Sequence, residues 1–242
     1  SGTAWVLLFA ADRPLFDAGQ VFHPGPHVTA GLWGALSSIP SAGASVEWYL
    51  RQAAVTGDDK YRWLNDGAAR SPVGSKGLLF FPHLSGSYSA AGDRPVRGGW
   101  IGLTLAHSTD DMSRSIMEGV AFEVRRLVDL ARAAGVRVTR ATMTGGAAAS
   151  ALWPQIVADV VGVPVTLLGS ASAASRGAAI LAGVGAGLYG SVFDGVAAGG
   201  NEEKIVAVQE QAAAAYSMLY GVYRAAFNGM GDAFSALMQA AV

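Results

Sequence analysis

The chain has 242 residues, 17 Lys and Arg against 18 Asp and Glu, no cysteine, 51% apolar residues and only 14% charged ones, roughly half the usual charged share. A formal charge of −1 lacks the basic excess of phosphate-backbone binders, which argues against nucleic acid as a partner; the absence of cysteine excludes disulfides, zinc-thiolate sites and cysteine nucleophiles and points to the cytoplasm. No run of 18 apolar residues exists, so no membrane partner is expected, and a start at Ser1-Gly2-Thr3, without Met or signal-peptide features, reads as a piece of a longer protein.

Trp5-Val-Leu-Leu-Phe-Ala10 is a continuous apolar run of strand length, which predicts a strand covered on both faces. Gln20 to His23 and Ala30 to Leu36 read as further strands divided by the Pro24-Gly25-Pro26 breaker, giving an antiparallel meander. From Gly43 the period turns helical through Val46, Tyr49, Leu50 and Ala53, until Thr56-Gly57-Asp58-Asp59 stops it; a polar, mobile stretch is expected from there to Lys76. Leu78 to Phe81 reads as a buried strand, and Pro82 opens a Ser/Gly-rich loop to Gly99, a candidate site segment.

Ser108 or Thr109 caps the clearest helix, with Asp110 and Asp111 in the first turn and Met112, Ile116, Val120, Val124, Leu127 and Ala131 in one stripe; Gly135 ends it. Val138 to Thr144 then reads as a strand, Ala151 to Val161 as a helix, Val163 to Leu168 as a strand and Ser175 to Ala186 as a helix. This β-α-β-α alternation predicts an α/β fold with helical crossovers. A Gly-rich break at 195–200 precedes a long helix in which Ile205, Val208, Ala212, Leu219, Tyr223 and Phe227 can face one way, interrupted at Gly229-Met230-Gly231.

Among the motifs, Ser1-Gly2-Thr3-Ala4 before the first strand offers amides and a hydroxyl to phosphate oxygens, or is an ordinary N-terminal turn. Thr144-Gly145-Gly146-Ala147 follows a strand and precedes a helix, so paired glycines let a flat ligand or a pyrophosphate approach the backbone; a tight strand-helix turn accounts for it equally. Neither GxGxxG nor GxxxxGK[ST] occurs. His23, His27, His83 and His107 show no metal-ligand spacing and read as structural or surface residues, and Ser85-Gly86-Ser87 lacks the hydrolase elbow. Asp110, Asp111, Glu118, Glu123 and Asp129 fit capping or a solvated helix face, while Asp159, inside an apolar helix, reads as a satisfied structural group.

Gly98-Gly-Trp-Ile-Gly-Leu103, seven residues, then Asp111-Met-Ser-Arg-Ser-Ile-Met-Glu118 resembles, position by position, a signature of the FGGY carbohydrate kinases. Other segments follow in that family's order: Gly2-Thr3 opening a strand, Ala42-Gly43 before Trp48, Phe81-Pro-His-Leu-Ser-Gly86, Glu118-Gly119-Val120, Thr144-Gly-Gly146, Trp153-Pro-Gln-Ile-Val-Ala-Asp159 and Gly177-Ala-Ala-Ile-Leu-Ala182. The resemblance runs from residue 1 to about 190 and is to the family's C-terminal half, most of all to its xylulokinase branch. It implies an actin-like, ribonuclease-H-like α/β domain with a mixed sheet and flanking helices, a core over 1–195 and a closing helical tail over 196–242.

By the same resemblance the chain is the ATP-binding half of a kinase that moves the γ-phosphoryl of Mg²⁺-ATP to a sugar hydroxyl, a pentulose such as D-xylulose. Gly2 and Thr3 would lie near the phosphates, Gly43 and Glu47 would contact the nucleotide, and Gly145, Gly146 and Ser150 would form the adenosine pocket. The family's catalytic base and most of its sugar contacts lie in an N-terminal domain that would precede Ser1, so no catalytic or metal residue is assigned here and these residues alone are expected to be inactive. That missing domain is the expected partner; the faces it would cover favour self-association, a homodimer included. Ser87-Tyr88-Ser89-Ala90 stands where the branch has Glu-Arg-Thr-Pro, a departure that favours a second reading, a non-catalytic actin-like binding or assembly module responsive to nucleotide or sugar; Ala4 and Ala148 also depart from the pattern and bear on nucleotide affinity.

Overall fold

The computed structural model describes residues 2–16, 21–86, 96–168, 173–200 and 203–240. The Ser87 to Ala90 departure and Ser1 lie outside them. Three strands open the chain: β1 (Trp5–Ala11), β2 (His23–Pro26) and β3 (Trp33–Ile39). They form an antiparallel sheet in the order β1-β3-β2, with Trp5 opposite Ile39 and Ala11 opposite Trp33. Only one face of β1 is covered. Trp5 and Phe9 are buried, while Val6 and Leu8 are 60% and 58% exposed, so the unbroken apolar run does not mark a strand buried on both sides. The Pro24-Gly25-Pro26 breaker lies within β2, where an edge position tolerates the missing N–H groups.

Two helices follow, α1 (Ala42–Gln52) and α2 (Lys60–Arg70). The second occupies the stretch expected to be mobile: Leu64, Gly67 and Ala68 turn inward, and its charged residues face solvent. A 3-10 turn at Ser75–Gly77 leads into β4 (Leu79–Phe81), which pairs antiparallel with β5 (Gly99–Ile101). The next helix, α3 (Thr109–Ala133), is the axis of the molecule. Ser108 and Asp111 form a reciprocal capping box at its start, and Gly135, with φ +91°, follows its end. From Ser113 to Val124 every residue is buried, because α1, α2, α4 (Trp153–Val161), β3 and β4 all pack around the helix.

The third sheet joins β6 (Ala141–Met143), β7 (Val165–Leu168) and β8 (Glu203–Val206), with β6 parallel and β8 antiparallel to β7. A 3-10 turn at Gly146–Ala149 and α4 make the β6-to-β7 crossover. After β7 come α5 (Ala173–Gly185) and α6 (Val192–Ala198), and after β8 come α7 (Glu210–Gly229) and α8 (Gly231–Ala240). The stretch read as a helical tail thus holds a strand. Ile205 stands in β8 at 67% exposure rather than on a buried helix face, and α7 is anchored by Tyr216, Tyr220 and Tyr223. Among the described residues no helix is long and apolar enough to cross a membrane.

Candidate functional site

A cavity of about 400 Å³ opens where the start of β1, α1, α2, α3 and the 3-10 turn before α4 converge. Gly2, Thr3, Gly43, Glu47, Gly146 and Ser150 all line it, although they come from three separate parts of the chain. Gly145 stands one residue outside the lining. It has φ +86° and ψ −168°, a region essentially closed to side-chain-bearing residues, and so makes the bend that carries the chain from β6 into the turn. The floor is apolar: Val46, Leu64, Met117 and the rings of Trp5 and Trp153, which meet at 4.9 Å between centroids. Trp153 Nε1 donates to the Met117 carbonyl at 3.1 Å, which fixes the ring against α3.

Gly43 is glycine for a steric reason. A Cβ there would lie 2.0 Å from the Gly2 carbonyl oxygen, because the start of the chain rests directly on the first turn of α1. Ala44 N donates to Thr3 O at 3.0 Å, so one otherwise orphaned amide of the α1 N-terminus holds the Gly2-Thr3 segment at the cavity rim. Opposite, Ser150 Oγ accepts from Leu152 N at 3.2 Å and Trp153 N at 3.0 Å and donates to Asn65 Oδ1. It therefore ties the entry into α4 to α2.

Charge at the rim comes from α1 and α2. Glu47 Oε2 pairs with Lys60 Nζ at 2.8 Å, and Glu47 Oε1 accepts from the Tyr61 hydroxyl. Lys60, and then Tyr61, hold the Glu47 carboxyl below its usual range, while the same hydrogen bond to Glu47 raises the Tyr61 phenol and, from the other side, the Lys60 ammonium. Glu47 is thus ionised at neutral pH and locally neutralised. Tyr61 and Asn65, one helical turn apart on α2, fall in the stretch expected to be polar and mobile, where the sequence singles out no site residue; their i, i+4 spacing, with Leu64 and Ala68 inside, is the signal for them.

Other chemistry-bearing residues lie elsewhere. Glu118 and Glu123 do not sit on a solvated face; both are buried in α3. Glu118 accepts from Gly74 N, Ser75 Oγ, Arg114 Nε and the Tyr216 hydroxyl at 2.7 to 2.9 Å; burial pushes its carboxyl up, against the pull of Arg114. Glu123 accepts from Arg126 Nε at 2.8 Å and the Tyr223 hydroxyl at 2.9 Å, with His83 Nε2 at 3.6 Å. Burial alone would raise it, but Arg126 and His83 hold it well below the carboxylate range. Asp159 is satisfied as read, accepting from Gln155 Nε2 and Gln209 N. Among the described residues no group of three or more His, Asp or Glu could hold a metal ion.

Residues 1–186 match the model of the FGGY family of carbohydrate kinases, C-terminal domain. The chain is 30% identical over 227 residues to a xylulose kinase of Staphylococcus epidermidis, covering 94% of this chain and 45% of that protein. It is 30% identical over 236 residues to a xylulose kinase of Bacillus subtilis, covering 98% and 47%. The crystal structure of xylulose kinase from Rhodospirillum rubrum superposes with a TM-score of 0.83 at 24% identity, over 97% of this chain and 47% of that one, and so shares the fold. The chain spans about half the length of the curated relatives it matches. With an actin-like α/β architecture and a family match over more than three quarters of its length, this chain belongs to the FGGY family of carbohydrate kinases, as a C-terminal domain.

Proposed function

We propose that the cavity between β1, α1, α2 and the Gly146–Ala149 turn binds the adenosine end of ATP, and that residues 1–242 are the nucleotide-binding lobe of a cytoplasmic pentulose kinase acting on a sugar such as D-xylulose. One observation carries this reading: six residues assigned to nucleotide from motif resemblance alone, scattered from Gly2 to Ser150, line one cavity. The names of the S. epidermidis and B. subtilis relatives support the sugar class. In this reading the apolar floor takes the base, the backbone beside Gly146 lets the ring approach closely, and Glu47 accepts from ribose hydroxyls. The Gly2-Thr3 segment, with the Thr3 hydroxyl, lies toward the phosphates.

Phosphoryl transfer depends on positioning and charge neutralisation, and Mg²⁺ usually supplies part of the latter. Lys60 already offsets the charge of Glu47, and one acceptor position on each oxygen is left for ribose hydroxyls; no step is routed through a protein-held ion. Calorimetric titration with ADP and ATP tests the reading. The wild-type chain is expected to bind both, and Gly146→Val, which fills the space beside the base, is expected to bind neither. Equal affinity in two folded proteins would remove the assignment.

A further inference from the structure

Ser150 has no hydrogen-bonding position left for a ligand. A serine hydroxyl offers one donor and two acceptor positions. The backbone amides of Leu152 and Trp153 take both acceptors, so the single proton goes to Asn65 Oδ1. Asn65 itself is only half used. Its Nδ2 donates one proton to the Tyr61 carbonyl at 2.6 Å, and its Oδ1 receives one from Ser150. One N–H and one oxygen lone pair remain on a planar amide in the cavity wall, a donor and an acceptor on one group.

The orientation of that amide is fixed by its partners rather than assumed. A backbone carbonyl can only accept, so the atom facing Tyr61 O is the nitrogen; Ser150 has only its proton to give, so the atom facing it is the oxygen. A donor beside an acceptor in this arrangement is the complement of adenine, whose exocyclic amino group donates next to a ring nitrogen that accepts. Hypoxanthine and guanine present a carbonyl oxygen in place of the amino group and would set one acceptor against another at Asn65 Oδ1. We propose that Asn65 is the specificity-determining residue that reads the adenine edge, and that Ser150 is a positioning residue acting through it. This rests on the adenosine reading of the cavity.

The test compares ADP with IDP, which differ at the 6-position of the base, by calorimetry on the 242-residue chain. Wild type is expected to favour ADP about tenfold, the worth of one neutral hydrogen bond. Asn65→Leu should bring ADP down to the affinity of IDP, Ser150→Ala should shrink the preference, and Ser150→Thr, which keeps the hydroxyl, should restore it. Should Asn65→Leu fail to fold, Asn65→Asp replaces the donor by a charged acceptor, which also loses the bond to the Tyr61 carbonyl, and is expected to abolish the preference for ADP over IDP. An ADP preference unchanged in a folded Asn65→Leu or Asn65→Asp overturns the assignment while leaving the adenosine site standing. Wild type that binds neither nucleotide overturns both.

Discussion

A Cβ built on Gly119 would lie 2.2 Å from the Phe80 carbonyl oxygen, because α3 crosses β4 at van der Waals contact there, whereas one built on Gly221 in α7 would meet nothing within 4 Å. The two helix-interior glycines therefore carry opposite costs. Gly119→Ala gains helix propensity of about 1 kcal/mol but must push α3 off a strand that has no room to move, an overpacking penalty of about 1–3 kcal/mol or more. A net loss of roughly 2 kcal/mol is expected in urea unfolding. Gly221→Ala carries only the propensity gain, so a stabilisation of about 0.5–1 kcal/mol is expected from the same measurement. If the two changes shift the urea midpoint in the same direction, the close approach of α3 to β4 is wrong.

Among the elements, α3 concentrates the buried charge. Its boundaries were legible: Ser108 and Asp111 at one end and Gly135 at the other are local signals that sequence carries in full. Its burial was not, because Glu118 and Glu123, spaced along the helix with Arg114 and Arg126, fit capping or a solvated face. What makes them interior is one another together with Ser75, His83, Tyr216 and Tyr223, up to about 100 residues away, and no local window contains those partners. The same limit hid α2 and β8, whose charged sequences fold as they do only because α3 and β7 lie beside them. Gly2, Gly43 and Gly146, which line the cavity, come to notice through the family resemblance, while Asn65 and Tyr61 belong to none of its motifs and are marked only by their helical spacing.

The charges of α3 also set a pH dependence. Glu123 has a folded pKa depressed below its unfolded value of about 4.3, so its contribution is fully present above that pH and is lost as acid carries the chain down toward the depressed value. Asp111 behaves alike: burial would raise it, but hydrogen bonds from Lys76, Ser108 and Ser71 hold it low. Glu118, raised by burial, has the opposite sign, and its contribution falls as pH rises above the unfolded value. Glu123→Gln is expected to cost about 3 kcal/mol at pH 7, since the half-buried Arg126 guanidinium loses its carboxylate partner, and to flatten the fall of the urea midpoint below about pH 4. An acid limb as steep as wild type would mean that Glu123 is not held ionised.

Across the whole molecule, stability is unevenly spread. Every element of the candidate site borders the core around α3, which holds Ile116, Met117, Val120 and Phe122 at full burial. By contrast α5 and α6 pack chiefly on each other, Gly183 and Gly195 against Tyr189 and Ile180, and each buries only its glycine. Leu181, Leu188 and Phe193 stay exposed there, and across the fold so do Val6 and Leu8 of β1. Free energies of local opening follow buried apolar contact, so α5 and α6 are expected to open well below the global unfolding energy. Hydrogen exchange followed by mass spectrometry should then show amides of 173–198 exchanging at least about 100-fold faster than those of 113–124, a gap of about 2.8 kcal/mol at roughly tenfold per 1.4 kcal/mol. Comparable protection in the two segments would mean that α5 and α6 are seated on a further surface.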